Sequence, residues 1–526
     1  METTVDRKLG SRIKKTQEGV REREAKYSEE GLEMELKVLM IGMDGVKAET
    51  FERGWTPFLK SLIDNGSRLM LKEDLISRGW SEIMTGKHAI ETGALYEGPV
   101  ADGTLTWTDK FKLGDIPGLG TRIKPLWQML NERGYRVGVM NVPTTYPAPE
   151  VDGFFVSGGG GGGPVSQEAG AEQCHPKGLE NWLHDMGYIV DERMPSLLAE
   201  KGLYAPTAFF DRLEEMNQKR TEAFIDLANR YETDFGFIVY KSSPVTTETL
   251  LPPELEKRSA GQKGVNHDFI AAAESFYQKL DQKIESLVKA FPRAEVLLVS
   301  DHSMATCRFF VNANTFLVQK GLQIPSSGRR GLFDTIKSFK HLLPYSIKQR
   351  LKKNPRIKSA YQSMVTFDPS KTKAFSLTFS NGAHGIYVND EHRFGGPVSE
   401  SSVDEVADQI VSGFNAHTVS KQHGFLAYRR PDGNGEVASK FPDVVLDLPD
   451  GYQTSNRYSD FVAKAPLQSK ALDLRDMKKD PRTVGKAHEP LVVCATGDWL
   501  VKAGERVSDL TVVYQHLLNA LPPRSH

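Results

Sequence analysis

The sequence is short of most features that would name a function outright. Only three cysteines, Cys174, Cys307 and Cys494, occur in 526 residues. They lie far apart and are odd in number, which argues against a disulfide framework or a zinc ribbon and for reduced thiols in a cytoplasmic setting. No stretch of about eighteen apolar residues occurs, and the charged N-terminus has no apolar core, so neither a membrane span nor a secretory signal is expected. Charge of one sign is missing too: 67 basic and 68 acidic residues leave a net charge of -1. No global field draws the chain to nucleic acid or to an anionic membrane. The glycine run 158–163 lacks the G-x-G-x-x-G spacing and precedes no helical pattern, so it reads as a loop and not as a nucleotide cradle. Any anionic ligand must therefore be held by local charge or by metal.

What is present is an alternation of apolar strands and amphipathic helices. Residues 1–35 are rich in Lys, Arg and Glu and read as a solvated arm. LKVLMIGMDG (36–45) is a continuous apolar run ending in an acid and a glycine, the pattern of a buried parallel strand. Thr56-Pro57 opens a helix that Gly66 stops, another helix starts near Trp80, and 136–143 and 235–243 read as further strands. Between 268 and 288, Phe269, Ala273, Phe276, Leu280, Ile284 and Leu287 recur every three or four residues, which makes one long amphipathic helix. It feeds AEVLLVSDH (294–302), again a strand ending in polar groups. The pattern predicts an α/β fold, a mostly parallel central sheet with helices on both faces. Insertions are expected near 97–121, 156–208 and 325–370, and the segment 328–356 is basic with a helical tendency.

Open α/β sheets place their ligands at the carboxyl ends of the strands. Two strands here end in metal-competent groups, Asp44 and the pair Asp301-His302, and His488 in VGKAHEPLVV stands just before a third apolar run. Carboxylate with neutral imidazole suits zinc first and manganese second. Singly, an Asp after a strand is often a helix cap and a lone His is often structural. Their shared position at strand ends strengthens the joint reading.

The ordered series IGMDG, TPFLKSLIDNG, WSEIMTGKHAIETGALYE, NVPTTYP, VLLVSDHSM, KAFSL with GIYVN, and a late KAHEP resembles the alkaline phosphatase superfamily, and within it the type I phosphodiesterase/nucleotide pyrophosphatase branch. The order holds from about residue 36 to the C-terminus, which implies one catalytic domain over 36–526. The resemblance implies metal ions flanking a Ser or Thr nucleophile, an in-line displacement at phosphorus, and a phosphorylated small-molecule substrate. It carries Asp44, Asp301, His302 and His488 over as metal ligands.

The chain departs from that pattern in three places. The nucleophile belongs nine residues before Thr85, where Ile76 stands; Ser77 is its neighbour and the candidate, with Arg78 placed to pair with a phosphate oxygen. The Asp and His expected after the third strand are replaced by Val245 and Thr249, with Glu248, His267 and His384 as the available substitutes. SDHS carries Ser303 where the family has glycine. The reading is thus a metal-dependent phosphate-ester hydrolase in which the Asp44/Asp301/His302 site is complete and the one bearing His488 is not. Transfer to a non-water acceptor, or a catalytically impaired member that binds a phosphorylated ligand or partner, are the alternatives. Oligomeric state is not legible.

Overall fold

The computed structural model describes residues 36–96, 98–99, 105, 107–108, 111–160, 168–325, 367–376, 385–433, 435–455, 459–465, 471–475, 484–496, 506–507 and 509–524. The arm 1–35, the basic segment 328–356 and His384 lie outside them.

The first apolar run forms β1, Val38–Met43. Leu39, Ile41 and Met43 join one apolar layer while Val38 and Met40 join the other. A strand covered on both faces has no solvent side, and so tolerates no polar residue along its length. Next come α1 (Pro57–Asn65), the short β2 (Ser67–Arg68), α2 (Gly79–Thr85) and α3 (Leu126–Glu132). Then follow β3 (Val137–Met140), β4 (Gly153–Val156), β5 (Cys174–His175), the long α4 (Pro206–Arg230) and β6 (Phe235–Tyr240). After α5 (Ser242–Ser259) and α6 (His267–Ala290), the strand β7 (Glu295–Val299) leads through Asp301 and His302 into β8 (Ser303–Thr306).

The remaining elements include a second sheet with β9 (Ala374–Phe375), β10 (Gly385–Val388), α7 (Val403–Ala416), β11 (Leu426–Arg429) and β12 (Val444–Asp447). β13 (Val484–Ala487) pairs antiparallel with β8 in a separate two-stranded sheet, β14 (Val492–Cys494) returns to the main sheet, and α8 (Thr511–Ala520) follows.

The main sheet has eight strands in the order β2-β14-β7-β1-β6-β3-β4-β5. Its central pairings, β7 with β1, β1 with β6, β6 with β3 and β3 with β4, are parallel. Antiparallel strands finish both edges: β14 and β2 on one side, β5 on the other. Helices α4 and α6 cover one face with Phe209, Phe224, Phe269 and Phe276, while α2, α3 and α8 cover the other with Trp80, Ile83, Trp127 and Leu517. Full burial of side chains of this size stabilises by about 1.5–3 kcal/mol each. All six apolar positions that marked α6 in the sequence are buried, and the Asn266 side chain accepts a hydrogen bond from the Phe269 amide to start it. Within 168–208 the chain gives the sheet its edge strand β5 and sends Leu179, Leu183 and Leu197 into the core.

Among the described residues no helix is long and apolar enough to cross a membrane. The three cysteines form no disulfide and are buried.

Candidate active site

The register of the central pair sets the geometry. In parallel strands β1 and β7, Gly42 lies opposite Val299, so two residues further on Asp44 and Asp301 leave the sheet at the same level. Gly45 permits the turn after Asp44: its φ is +81°, and a Cβ there would lie 2.9 Å from a Val245 methyl. Gly79 lets α2 begin against the other strand end, because a Cβ would fall 2.4 Å from the Asp301 carbonyl oxygen. Trp80 of that helix then reaches Asp44, its indole N–H 3.4 Å from Oδ2.

His302 closes the group. Its Nε2 is 3.5 Å from Asp44 Oδ1 and 3.7 Å from Asp301 Oδ2. Its Nδ1 is 2.9 Å from the Ser303 carbonyl, so Nδ1 carries the hydrogen and Nε2 turns its lone pair toward the two acids. Burial, reinforced by the Lys486 charge and opposed by Asp44, brings the imidazole down to about 4, which leaves it neutral. Burial and the Asp301 charge raise Asp44 to about 7. Burial also raises Asp301, against the pull of Lys486 and of the Tyr96 hydroxyl, which donates to Oδ2 at 2.8 Å.

Asp44 Oδ1 and Asp301 Oδ1 are both buried without a hydrogen-bond partner. Two acids and an imidazole lone pair facing one another repel unless a proton or a cation sits between them. Among the described residues, Asp44, Asp301 and His302 are the one group with three ligand atoms within 4.8 Å of one another. The donor set fits a divalent ion bound by two oxygens and one nitrogen.

The other sequence candidates lie differently. Ser77 is fully buried. Its hydroxyl is 2.9 Å from His88 Nε2 and 3.4 Å from Asp74 Oδ2, and it makes no hydrogen bond to Asp44, Asp301 or His302. Asp74 organises this loop: Oδ1 accepts the Ile76 and Ser77 amides at 2.9 and 3.0 Å, across Leu75, whose φ is +63°. A branched residue in that region is strained by about 1–3 kcal/mol, and the two amide bonds hold it there. Burial opposes the Asp74 charge, but hydrogen bonds from His88 and the loop outweigh it and lower the carboxyl. His88 Nε2 lies 2.8 Å from Asp74 Oδ2, while its Nδ1 accepts the Ile90 amide. Nε2 therefore carries the hydrogen that Ser77 and Asp74 share. Burial works against the His88 charge, yet Asp74 outweighs it and raises the imidazole.

Arg78 turns from solvent to the backbone. Its Nε donates to the Leu95 carbonyl at 2.7 Å and Nη2 to that of Tyr96 at 3.2 Å. The guanidinium lies over the Tyr96 and Phe111 rings and clamps the Ser77 loop to the segment carrying Tyr96.

His488 does not join the group of three. Its Nδ1 faces the Glu73 carbonyl and its Nε2 the Leu448 carbonyl, at 2.5 and 2.8 Å. Of the substitutes for the missing ligands, Glu248 is held by Arg53 and Tyr277 and His267 is exposed. Thr249 donates to the Val245 carbonyl, and Val245 packs on Gly45. Ser303 Oγ is buried without a hydrogen-bond partner.

Reading the sequence alone passes over Asp74, His88, Tyr96 and Lys486. Three of them stand in or beside motifs already singled out: His88 and Tyr96 in TGKHAIETGALYE, Lys486 in GKAHEP. Asp74 carries no such signal.

The family model described as type I phosphodiesterase / nucleotide pyrophosphatase matches residues 38–467. No curated protein matches the chain. Similar solved structures include phosphonoacetate hydrolase from Sinorhizobium meliloti 1021 in complex with phosphonoacetate, at 12% identity and TM-score 0.49, covering 93% of this chain and 96% of that one. Murine ectonucleotide pyrophosphatase / phosphodiesterase 5 is similar at 12% identity and TM-score 0.38, with 93% and 96% covered. The alkaline phosphatase PafA is similar at 10% identity and TM-score 0.46, with 93% and 96% covered. The match across residues 38–467 makes this chain a member of the type I phosphodiesterase / nucleotide pyrophosphatase family, and so a phosphoric ester hydrolase by family.

Proposed function

We propose that the chain is a metal-dependent phosphodiesterase of small phosphorylated molecules in which Asp44, Asp301 and His302 hold one divalent ion and Ser77 attacks phosphorus. The observation that carries the reading is the convergence of two unpartnered carboxylate oxygens and an imidazole lone pair at the ends of neighbouring strands. Two oxygens and one nitrogen suit zinc, and manganese next. Bound there, such an ion would stabilise charge building up on the phosphoryl oxygens. One ion is the proposal because His488 has both ring nitrogens on backbone carbonyls and Glu248 is held by Arg53. One catalytic domain spans 36–526 in this reading, behind the arm 1–35. Three buried thiols outside any disulfide support a reducing, cytoplasmic location.

The chain's own residues divide the work. Asp74 and Arg78 position the Ser77 loop. The Ser77 hydroxyl forms the new O–P bond as the bond from phosphorus to the leaving oxygen breaks, and water then cleaves the resulting serine phosphodiester, restoring Ser77 and releasing a phosphate monoester. His88 Nε2 already carries a hydrogen, so Asp74 Oδ2 is the contacting group able to accept the serine proton. Tyr96 holds Asp301 through one oxygen and leaves the other for the ion.

One observation favours a second reading. Ser77 is buried, with its hydroxyl on His88 and Asp74, as it would be in a member that binds a phosphorylated ligand without turning it over. A single experiment separates the two. Zinc-loaded protein is mixed with bis(4-nitrophenyl) phosphate, quenched in acid, and the peptide bearing Ser77 is weighed. Nitrophenolate release with a Ser77 peptide that carries a 4-nitrophenyl phosphoryl group supports the first reading. Release that persists in Ser77→Ala rules Ser77 out as the nucleophile, and no release with intact metal favours the second.

A further inference from the structure

We propose that Tyr428, with Leu426 beside it, is the seat for an aromatic ester group that stays on phosphorus when Ser77 attacks. The inference rests on the reading of Ser77 above and adds the class of diester that it takes.

The second sheet brings these side chains to the Ser77 loop. Its strands run in the order β9-β10-β12-β11, so β11 is an edge. Residues directly opposite in antiparallel strands share a face, and Tyr428 stands opposite Val445, Leu426 opposite Asp447. The alternate residues Ala427, Val444 and Leu446 join the core that includes Ile410 and Phe414 of α7. Val445 points the other way, into a cluster with Ile76 and Phe441, and the Phe441 ring lies 5.7 Å from that of His88. One face of this sheet therefore rests on the Ser77 loop, and at β11 that face runs on into solvent. Tyr428 is 41% and Leu426 57% exposed, the one pair of exposed large apolar side chains on a shared strand among the described residues. Partial burial, and then the Asp74 and Asp447 charges, raise the Tyr428 hydroxyl, which agrees with a side chain that reaches toward the loop.

The chemistry of the seat selects its occupant. Lys72 Nζ is 2.5 Å from Asp447 Oδ2, so its charge is matched, and Asp74 adds a negative one. A second phosphate or a carboxylate on the substrate is therefore disfavoured there, and an uncharged group is not. A partner protein covers about 800 Å², far more than two side chains offer, whereas a single ring matches them in size. In an in-line displacement the leaving oxygen lies opposite the attacking one. A group seated on the Ser77 side is thus the one retained on phosphorus.

Two diesters with one leaving group isolate the seat: phenyl 4-nitrophenyl phosphate and methyl 4-nitrophenyl phosphate both lose nitrophenolate. For the zinc-loaded protein, kcat/KM should be about 10- to 100-fold higher with the phenyl diester, the worth of burying one ring. Tyr428→Thr removes the ring and keeps a strand-favouring residue; there the ratio should drop about 10-fold, while Tyr428→Phe retains it. If the threonine variant does not fold, Leu426→Thr replaces it. Calorimetry with phenylphosphonate and methylphosphonate repeats the comparison without turnover. A phenyl preference in binding that is lost in Tyr428→Thr, with neither diester cleaved, leaves the seat standing and sinks only the attack by Ser77. Equal binding of the two phosphonates, or a phenyl preference within twofold of the original in Tyr428→Thr, overturns the seat whether or not the diesters are cleaved.

Discussion

Glu248 offers a decisive perturbation, because the sequence made it a stand-in metal ligand and the structure gives it other work. Arg53 Nη1 and Nη2 donate to its two oxygens at 2.7 Å each, and the Tyr277 hydroxyl donates to Oε1 at 2.6 Å. The carboxylate is 2% exposed. Glu248→Gln keeps the shape but removes the charge, and turns one amide NH2 toward a guanidinium that also offers only hydrogens. Two charge-assisted bonds weaken at about 1.5–3 kcal/mol each, and breaking one side of a buried pair generally costs about 3–5 kcal/mol. Arg53 keeps 18% side-chain exposure, so water recovers part of its solvation and the lower end, about 3–4 kcal/mol, is expected. Arg53 also lies over Trp55, which provides a fluorescent reporter for urea unfolding of the metal-free protein. Metal per chain, by plasma mass spectrometry, should be unchanged. A variant with the original unfolding midpoint that has lost its metal would falsify the structural role and return Glu248 to the ligand set.

Three further outcomes follow from the same geometry. Asp301→Asn should abolish stoichiometric metal binding and lower any diesterase turnover about a thousandfold, roughly 4 kcal/mol; retained metal at one per chain refutes the ligand assignment. Tyr96→Phe frees one Asp301 oxygen from its hydrogen bond, and metal affinity should drop about 10- to 100-fold, measured by competition with a chromogenic chelator; an unchanged affinity means that Tyr96 does not orient Asp301. Glu73 and Glu82 are buried, and each is pushed well above its ordinary value of 4.5, first by burial and then by neighbouring acids. The folded chain therefore holds more protons than the unfolded chain once pH passes that ordinary value, and their contribution to stability is lost as pH rises toward the folded values. Glu82→Gln should raise the urea midpoint at pH 8 and change it little at pH 4.5, whereas a pH-independent gain contradicts this coupling.

Much of the fold was legible because it rests on periodicity. The β1 and β7 runs and the spacing of α6 are sequence patterns that tertiary context reinforced. The stretch SSPVTTETLLPPE shows the limit. Pro252 and Pro253 argue against a helix, yet both lie inside α5, where Leu250, Leu251 and Pro253 are buried. Packing outweighed local preference, and no residue within the stretch announces that.

The candidate site divides along the same line. Asp44, Asp301 and His302 were found because each follows an apolar strand, and strand ends are where such sheets present ligands. The step from three residues to one site is the register that puts Gly42 opposite Val299, and register between strands some 250 residues apart is not written in either strand. His488 had only a weaker version of that signal, since it precedes the apolar β14 and does not follow it. What separates it from His302 is where its ring nitrogens point. His302 has one on the Ser303 carbonyl and one toward the acids, while His488 has both on carbonyls. An imidazole can ligate only through a nitrogen whose lone pair is uncommitted, and that property belongs to the fold around the residue and not to the motif. The same criterion applies at Ser77. The residue type fits the chemistry, but with its hydroxyl on His88 and Asp74 it can act only by exchanging those partners for substrate, so the strength of the Asp74–His88 hold decides whether this family member turns over or only binds.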